Sequence, residues 1–553
     1  MMRSVFRRTP LFVGVVLLAV SAMACELLAS EAPVKRVDGL TDDVVDGNSQ
    51  FAVDLYRQMA KEHVGKNLFF SPYSISGTMA MAVDGARGET AEQMGRVLQL
   101  PASTKRTGDD AEWIPFETAK IHAAIASINR ELTAQDQSPE AKQARARIAV
   151  LRAKHEEIKA EYEAMWQPPE GVEEGEDYLV PLDSDKESTL HFDEAQLIRE
   201  LDEERSKVDQ YEIRISNTFW LERDYPFREE FLKTIDRHYG ADSVFRADFK
   251  HRPEEARQGI NEIVAKQTKN RIRAAIPPDM VNKYTRLVLT GAIYFRGDWP
   301  TPFWESRTED KPFELADGTQ VTTPIMFKVL SGGGYAAFNA DGSFFTTPRW
   351  TYKDSTTGEL QPREPLYPDA DGFAMVEMPY RGDRLSMVVI APNAPKGLPA
   401  IEAKLSAENL KEWIGRLDDR KVRLHLPKFK METAYTLGDG EYGPKGTLPD
   451  MGMVRAFTDG LRFRDGAQFD GISTPTDPRD RLFISKVLHR ATIEVNEKGT
   501  EATAATIVIM RSGSANLRKV PFDPTFRADR PFLFLIRDTE SGTILFLGRL
   551  MKP

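Results

Sequence analysis

Cysteine is almost missing. The 553 residues contain one, Cys25, so no disulfide can close a loop within the chain. Histidine is scarce as well, with eight residues and no pair at a zinc-binding spacing. The run His155-Glu156-Glu157 lacks the second histidine, four residues after the first, that a helical zinc site needs. Neither a Gly-x-Ser-x-Gly elbow nor a glycine-rich phosphate loop is present. Two acidic turns, Asn339-x-Asp341-Gly342 and Asp369-x-Asp371-Gly372, lack the glutamate in twelfth position that completes a calcium loop. The chain is therefore expected to carry no catalytic group, no metal and no cofactor. Positive charge is not in excess either: 74 Lys and Arg stand against 84 Asp and Glu, a net charge of −10. Without a basic surplus to neutralise phosphates, no nucleic-acid partner is expected. What the chain does have is apolar residues, at 41%, enough for a large core.

The N-terminus is the one strongly apolar run. Arg3, Arg7 and Arg8 precede Leu11 to Val20, and Ala22-Met23-Ala24 stands just before Cys25. A charged start, a short apolar stretch and an Ala-x-Ala site describe a secretory signal over residues 1–24, too short for a comfortable membrane span. Export is expected, either as a secreted protein or as one anchored at the cell surface or in the periplasm. Cys25 at the cleavage site is the candidate for acylation, which would tether the chain to a membrane; the alternative is a cysteine that lies by chance beside an ordinary cleavage site. Residues 25–47 read as a polar lead, after which Phe51, Leu55 and Met59 repeat at helical spacing.

Near the other end lies Glu497-Lys498-Gly499-Thr500-Glu501-Ala502-Thr503-Ala504-Ala505-Thr506-Ile507-Val508-Ile509. It follows the alternating run Ala491 to Asn496 and precedes the polar segment Arg511 to Asn516. Small residues followed by β-branched ones describe either a linker or a segment able to become a buried strand. Far upstream, Ser71 followed by Pro72 marks a helix start, because proline in the first turn sacrifices no hydrogen bond.

The run Asn67 to Leu98 resembles the N-terminal helices of the serpin family, and later blocks follow in family order. These are Ile215-Ser216-Asn217-Thr218-Phe219-Trp220, Ile260 to Thr268, Leu287-Val288-Leu289-Thr290-Gly291-Ala292-Ile293-Tyr294-Phe295 to Trp299, Ile484 to His489, and Asp529-Arg530-Pro531-Phe532 to Arg549. The resemblance implies an α+β serpin fold over residues 48–553, with a large central, mostly antiparallel sheet, further sheets and surrounding helices. Two segments exceed the family pattern. Residues 135–208 are highly charged, with Ala141, Ile148, Leu151, Ile158, Tyr162 and Met165 along one edge and His155 in the seam. With Leu197, Ile198, Leu201 and Val208 they predict an inserted helical hairpin. Residues 330–371, rich in Gly, Thr, Pro and Asp, are expected to form an extended surface loop.

The resemblance also implies a mechanism. The partner is a target serine, or cysteine, protease that attacks a reactive loop within residues 497–520 and forms a covalent acyl-enzyme; the cleaved loop then inserts into the central sheet and traps it. Glu497, Gly499, Thr500, Glu501, Ala502, Thr503, Ala504 and Ala505 form the hinge, small enough to enter a packed sheet. Counting the family's loop length from Glu497 places the reactive bond at Gly513–Ser514; Arg511–Ser512 and Arg518–Lys519 are the alternatives. Ser71, Ser74, Gly291, Trp299 and His489 are placed where the sheet opens, with His489 hydrogen-bonded to hydroxyls. Gly291 stands where the family usually carries Asn, which removes a side-chain partner. The inhibitor is expected to be a monomer before reaction. The competing functional class is a non-inhibitory serpin that binds a partner, or a surface-tethered adaptor that uses the helical insertion.

Overall fold

The computed structural model describes residues 39–134, 139–165, 184–206, 211–353, 359–360, 362–460, 465–475, 477, 481–500 and 518–553. Residues 1–24, Cys25, the hinge from Glu501 to Ala505 and the bonds Arg511–Ser512 and Gly513–Ser514 lie outside them.

Helix α1, Leu40–Glu62, buries Val45, Asn48, Phe51, Ala52, Leu55, Tyr56 and Met59, an i, i+3, i+4 stripe that faces the core. Helical structure therefore begins within the expected polar lead, since Thr41 and Val45 are already buried. Helix α2, Pro72–Gly85, starts as the sequence suggests: the Ser71 hydroxyl accepts the Ser74 N–H at 3.0 Å and Pro72 occupies the first turn. It is apolar or small on nearly every side and runs through the interior. Helices α3, Pro139–Met165, and α4, Ser184–Ser206, form the inserted hairpin, sealed by Ala144, Ile148 and Leu151 against Leu197 and Leu201. His155 stands in that seam with Nε2 3.2 Å from Glu194 of the opposite helix. The side chains of Ala141, Tyr162 and Met165, and all of Val208, lie outside the described residues.

The described strands form sheets of eight, six, four and two members. The six-stranded sheet contains β1 (Tyr211–Glu222), β2 (Val244–Ala247), β3 (Leu287–Asp298), β4 (Phe429–Asp439), β5 (Lys486–Val495) and β6 (Gly499–Thr500). Its order is β4-β5-β3-β1-β2, with β6 paired to the end of β3. One face of β3 packs inward through Leu287, Leu289, Ile293 and Phe295. The other packs through Val288 and Ala292 against Ile260 and Val264 of α5, Pro253–Gln267. Side chains alternate between the faces with the two-residue period of a strand.

The expected surface loop over residues 330–371 is corrected. Gly334–Phe338 is an inner strand of the eight-stranded sheet, paired with Phe373–Pro379 on one edge and with Asp418–Asp419 on the other, and Tyr335, Ala336, Ala337 and Phe338 are buried. Further on, Trp350–Lys353 is a strand that pairs antiparallel with Arg518–Pro521, so the insertion reaches the C-terminal end of the segment expected to hold the reactive loop.

Candidate functional site

Strands β3 and β5 are neighbours and run parallel. Pairing begins at Lys486 with Val288 and ends at Ala491 with Ile293, although β3 continues to Asp298 and β5 to Val495. Beyond Ile293 and Ala491 the two strands part. A cavity of about 810 Å³ opens there, lined by Tyr294, Phe295, Thr492 and Ile493, with Lys269 and Arg271 from the segment after α5. Backbone N–H and C=O groups along a strand must be paired when buried. An incomplete pairing in mid-sheet is thus a place where a further strand fits.

The lower end of this opening is held by a polar cluster. The His489 ring is buried, and its Nε2 accepts the Ser71 backbone N–H at 3.0 Å while Nδ1 lies 3.0 Å from the Gly291 carbonyl. Those partners assign the neutral tautomer with hydrogen on Nδ1. Burial drives the imidazole pKa down to about 4, against the opposing pull of the Gly291 carbonyl. The expectation that His489 bonds to hydroxyls is corrected: its partners are backbone groups, because the serine hydroxyls are engaged elsewhere. Ser71 caps α2, and the Ser74 hydroxyl donates to Asn217 Oδ1 at 2.8 Å. Asn217 sits directly opposite Gly291 on β1.

Gly291 is not beside a void. A Cβ there would lie 3.0 Å from Thr78 Oγ1 and 3.2 Å from Ser74 Oγ. Thr78 donates to the Ser74 carbonyl at 2.8 Å, so both hydroxyls are committed. Gly291→Ala is expected to cost about 1 kcal/mol, because the neighbouring hydroxyls must give way. The same change in a Thr78→Ala background is expected to cost less, since the nearest obstructing atom is gone. Denaturation midpoints of the two single variants and the double variant measure the difference.

The upper end lies at Trp299, about 26 Å along the strand from Gly291 at ordinary strand rise. Trp299 is fully buried, stacked on Tyr380 with ring centroids 4.6 Å apart. Its indole Nε1 donates to the Asn496 carbonyl at 3.2 Å, and its backbone N–H donates to the Lys498 carbonyl at 3.0 Å. The Glu497 carbonyl accepts the Phe303 N–H at 2.7 Å. The first hinge residues are therefore fastened to the end of β3. Glu497 is buried, and its carboxylate accepts from Lys428 Nζ at 2.9 Å and from the Thr308 hydroxyl at 2.8 Å. Burial raises the Glu497 pKa, but the hydrogen bonds from Lys428 and Thr308 outweigh it and hold the carboxyl below its usual range. Glu497→Ala is expected to lower stability by about 1–2 kcal/mol. A double-mutant cycle with Lys428→Ala, read by thermal denaturation, isolates the ion pair.

Gly499 and Thr500 pair antiparallel with Asp298 and Gly297. Gly499 has φ +148°, and a Cβ on it would come within 2.4 Å of the Gly297 carbonyl oxygen. Only glycine brings the backbone this close to β3 in this conformation. Nearby, Lys328 is a buried cation whose ammonium donates to the Thr301 carbonyl at 3.0 Å and lies 4.6 Å from the Phe303 ring centroid. Burial lowers its pKa to about 7.

The opening thus gathers Ser71, Ser74, Gly291 and His489 at one end, and Trp299, Glu497, Gly499 and Thr500 at the other. Arg518 and Lys519 lie apart from both, in the strand paired with Trp350–Lys353. Sequence reasoning missed Lys428, Thr78 and Lys328. None carries a local signature, since Lys428 meets Glu497 across 69 residues of chain and the others are ordinary helix and strand positions.

A parallel strand pair that parts halfway, with a small-residue segment fastened antiparallel at its end, is an arrangement that defines a class. The model described as "Serpin (serine protease inhibitor)" matches residues 46–168 and 172–553. The chain belongs to the serpin family. An uncharacterised serpin-like protein of Thermococcus kodakarensis is 31% identical over 516 residues, covering 93% of this chain and 87% of that protein. The human leukocyte elastase inhibitor is 28% identical, covering 93% of this chain and 100% of the relative. The structure of thyroxine-binding globulin in complex with thyroxine shares the fold with a TM-score of 0.60 and 21% identity, covering 93% of this chain and 99% of that one. An elastase inhibitor and a thyroxine-binding protein are both among these relatives, so membership alone does not decide between inhibition and binding.

Proposed function

We propose that this serpin is a suicide-substrate inhibitor of a serine, or cysteine, protease. The observation that carries the reading is the pairing of Gly499–Thr500 with the end of β3, directly above the point where β3 and β5 part. The hinge stands as the first residues of a strand whose remaining space is still open. The protease nucleophile attacks the reactive carbonyl, the peptide C–N bond breaks, and the new amine leaves on the C-terminal fragment while the N-terminal side remains as an acyl-enzyme. Insertion of the freed loop between β3 and β5 fills the open space, then replaces the β3–β5 pairs from Ile293 and Ala491 downward, and pulls the attached protease away from the geometry its deacylation needs. The inhibitor supplies folding energy held behind a kinetic barrier and no catalytic group.

Gly513–Ser514 is the proposed reactive bond, which suits a protease with a small-residue pocket. Pairing of Arg518–Pro521 with Trp350–Lys353 supports a bond N-terminal to that strand, because a substrate segment must lie free in the protease cleft. The protein acts outside the cytoplasm as a monomer, secreted or tethered through Cys25.

The test is incubation with a panel of serine and cysteine proteases, followed by denaturing electrophoresis and mass spectrometry of the released fragment. A complex that survives denaturation and a fragment beginning at Ser514 are expected. Clean loop cleavage without a complex across the panel would sink the inhibitory reading in favour of a binding protein. Heat stability before and after loop cleavage tests insertion separately, and a large rise is expected.

A further inference from the structure

One strand of the 330–371 insertion, Trp350–Lys353, forms a two-stranded ribbon with Arg518–Pro521, for which neither the fold nor trapping has a use. We propose that this ribbon is a second docking surface for the target protease, engaged while the protease holds the reactive bond. The inference rests on the inhibitory reading and adds to it a determinant of which protease is caught.

Reach is the first argument. Three residues lie between Ser514 and Arg518, so the four Cα steps put the proposed bond within about 14 Å of the ribbon even with the chain fully extended. A protein interface of ordinary size covers about 800 Å² on each partner, a disc of about 16 Å radius. A protease seated on Gly513–Ser514 therefore has the ribbon inside its footprint, on the C-terminal side of the cleaved bond.

Composition is the second. Trp350 is 51% exposed and Leu360 47% exposed. The Lys519 ammonium lies 5.3 Å from the Trp350 ring centroid, and the Arg363 guanidinium lies 4.1 Å from that of Tyr352. Aromatic side chains with cations laid against them are the residues that carry binding energy when a partner desolvates them. The partner surface that fits is an apolar hollow for the indole flanked by carboxylates for Lys519 and Arg363.

Rigidity is the third. The Arg420 guanidinium donates to the carbonyls of Thr347 at 3.0 Å, Pro348 at 2.8 Å and Phe522 at 2.9 Å, joining both strands of the ribbon at its base. Thr351 is buried beneath it. A surface already ordered before contact loses little entropy on docking.

The experiment measures second-order association rate constants and covalent-complex yield for each protease that forms a complex. It compares the wild type, Trp350→Ala, Lys519→Glu and the remote control Tyr442→Ala, with cleavage of a linear peptide spanning residues 506–517 as a reference for each protease. We expect the two ribbon variants to slow association roughly tenfold. Complex yield at completion, melting temperature, peptide cleavage and the control should be unchanged. Unchanged rates in both ribbon variants, with complexes still forming, overturn the docking role and leave the inhibitory reading intact. A slowed rate in Trp350→Ala together with a lowered melting temperature, with Lys519→Glu at the wild-type rate, overturns it as a folding effect. A dimer of the wild type that dissolves in Trp350→Ala, without a change in rate, overturns it in favour of self-association. Absence of a complex with every protease overturns the inhibitory reading and this one with it.

Discussion

On the proposed inhibitory function, Ala504→Glu is expected to turn the protein into a substrate of its target protease, whereas Thr503→Glu, one residue earlier, is expected to retain most of the inhibition. The difference comes from the register of β6. Gly499 pairs with Asp298 and Thr500 with Gly297. Continuing that antiparallel register on insertion sets Glu501 opposite Arg296, Ala502 opposite Phe295, Thr503 opposite Tyr294 and Ala504 opposite Ile293. Residues directly opposite one another in an antiparallel pair point to the same face. Ile293 and Phe295 face the buried core, so Ala502 and Ala504 enter it as well. A carboxylate at 504 would have to be buried without a partner, at a cost of several kcal/mol. Insertion slows by about 100-fold or more on that account, since each 1.4 kcal/mol in a barrier is tenfold in rate. The acyl-enzyme is then hydrolysed first.

On the other face, Tyr294 lines the cavity with five cations, Lys269, Arg271, Arg273, Lys430 and Arg490, against two carboxylates, Glu432 and Glu494, of which Glu432 pairs with Lys430 at 3.1 Å. A glutamate at 503 meets these cations as it enters, as the natural Glu501 meets Arg296. Thr503→Arg is therefore worse than Thr503→Glu, the reverse of what a size argument alone would give. Titration of a trapped protease with each variant checks this. Molar ratios for complete inhibition should stay near one for the wild type and for Thr503→Glu, and exceed about ten for Ala504→Glu. Equal ratios at 503 and 504 would remove the register from the explanation. The same register brings Thr506 opposite Gly291, where the glycine leaves that strand position without a side chain of its own.

How much of this was legible beforehand depends on whether the information is local. Ser71-Pro72 announces a helix because the cap and the first-turn proline act within four residues, and α2 begins there. The α3 and α4 hairpin was readable because the Ile148, Leu151, Leu197 and Leu201 seam repeats at helical spacing. The strand Gly334–Phe338 was not. Five residues after Gly332-Gly333 carry too little pattern to tell a strand from a loop, and what buries Tyr335 to Phe338 are neighbours from Phe373–Pro379 and Asp418–Asp419. The start of α1 was hidden in the same way. Asp42, Asp43 and Asp46 give the segment a polar look, while Thr41, Val45 and Asn48 turn inward and Asn48 donates to the Ile544 carbonyl at 3.2 Å. At the site itself the residue types were readable and their partners were not. His489 takes the backbone of Ser71 and Gly291, and Glu497 takes Lys428, because strand neighbours far apart in sequence leave no mark on the local pattern.

Acid is expected to weaken the lower end of the opening, and His489 is the group responsible for a separable part of the loss. Its folded pKa of about 4 lies below the ordinary value of 6.5, so the unfolded chain takes up the proton more readily between those limits. The sign follows: the stabilisation from the neutral imidazole is fully present above about pH 6.5 and declines as pH falls toward 4. The interval of about two and a half units corresponds to about 3 kcal/mol by pH 4. Protonation acts through geometry as well as charge. An imidazolium has no lone pair on Nε2 and cannot accept the Ser71 N–H, so the backbone group that opens α2 loses its buried partner. His489→Gln keeps a neutral acceptor and donor at the position but cannot titrate. It is expected to be less stable than the wild type by about 2 kcal/mol at pH 7, because the amide cannot satisfy both backbone partners at the imidazole's spacing. Between pH 6.5 and 4 its denaturation midpoint should fall less steeply, and the two curves should cross near about pH 5, where the wild type has lost about 2 kcal/mol. Carboxylates whose pKa values are lowered in the fold, Glu497 among them, destabilise both proteins alike at still lower pH and cancel in the comparison. Parallel curves from pH 7 to 4 would show that the ring takes up its proton without loss, and that the bond from Ser71 contributes nothing to keeping the sheet closed.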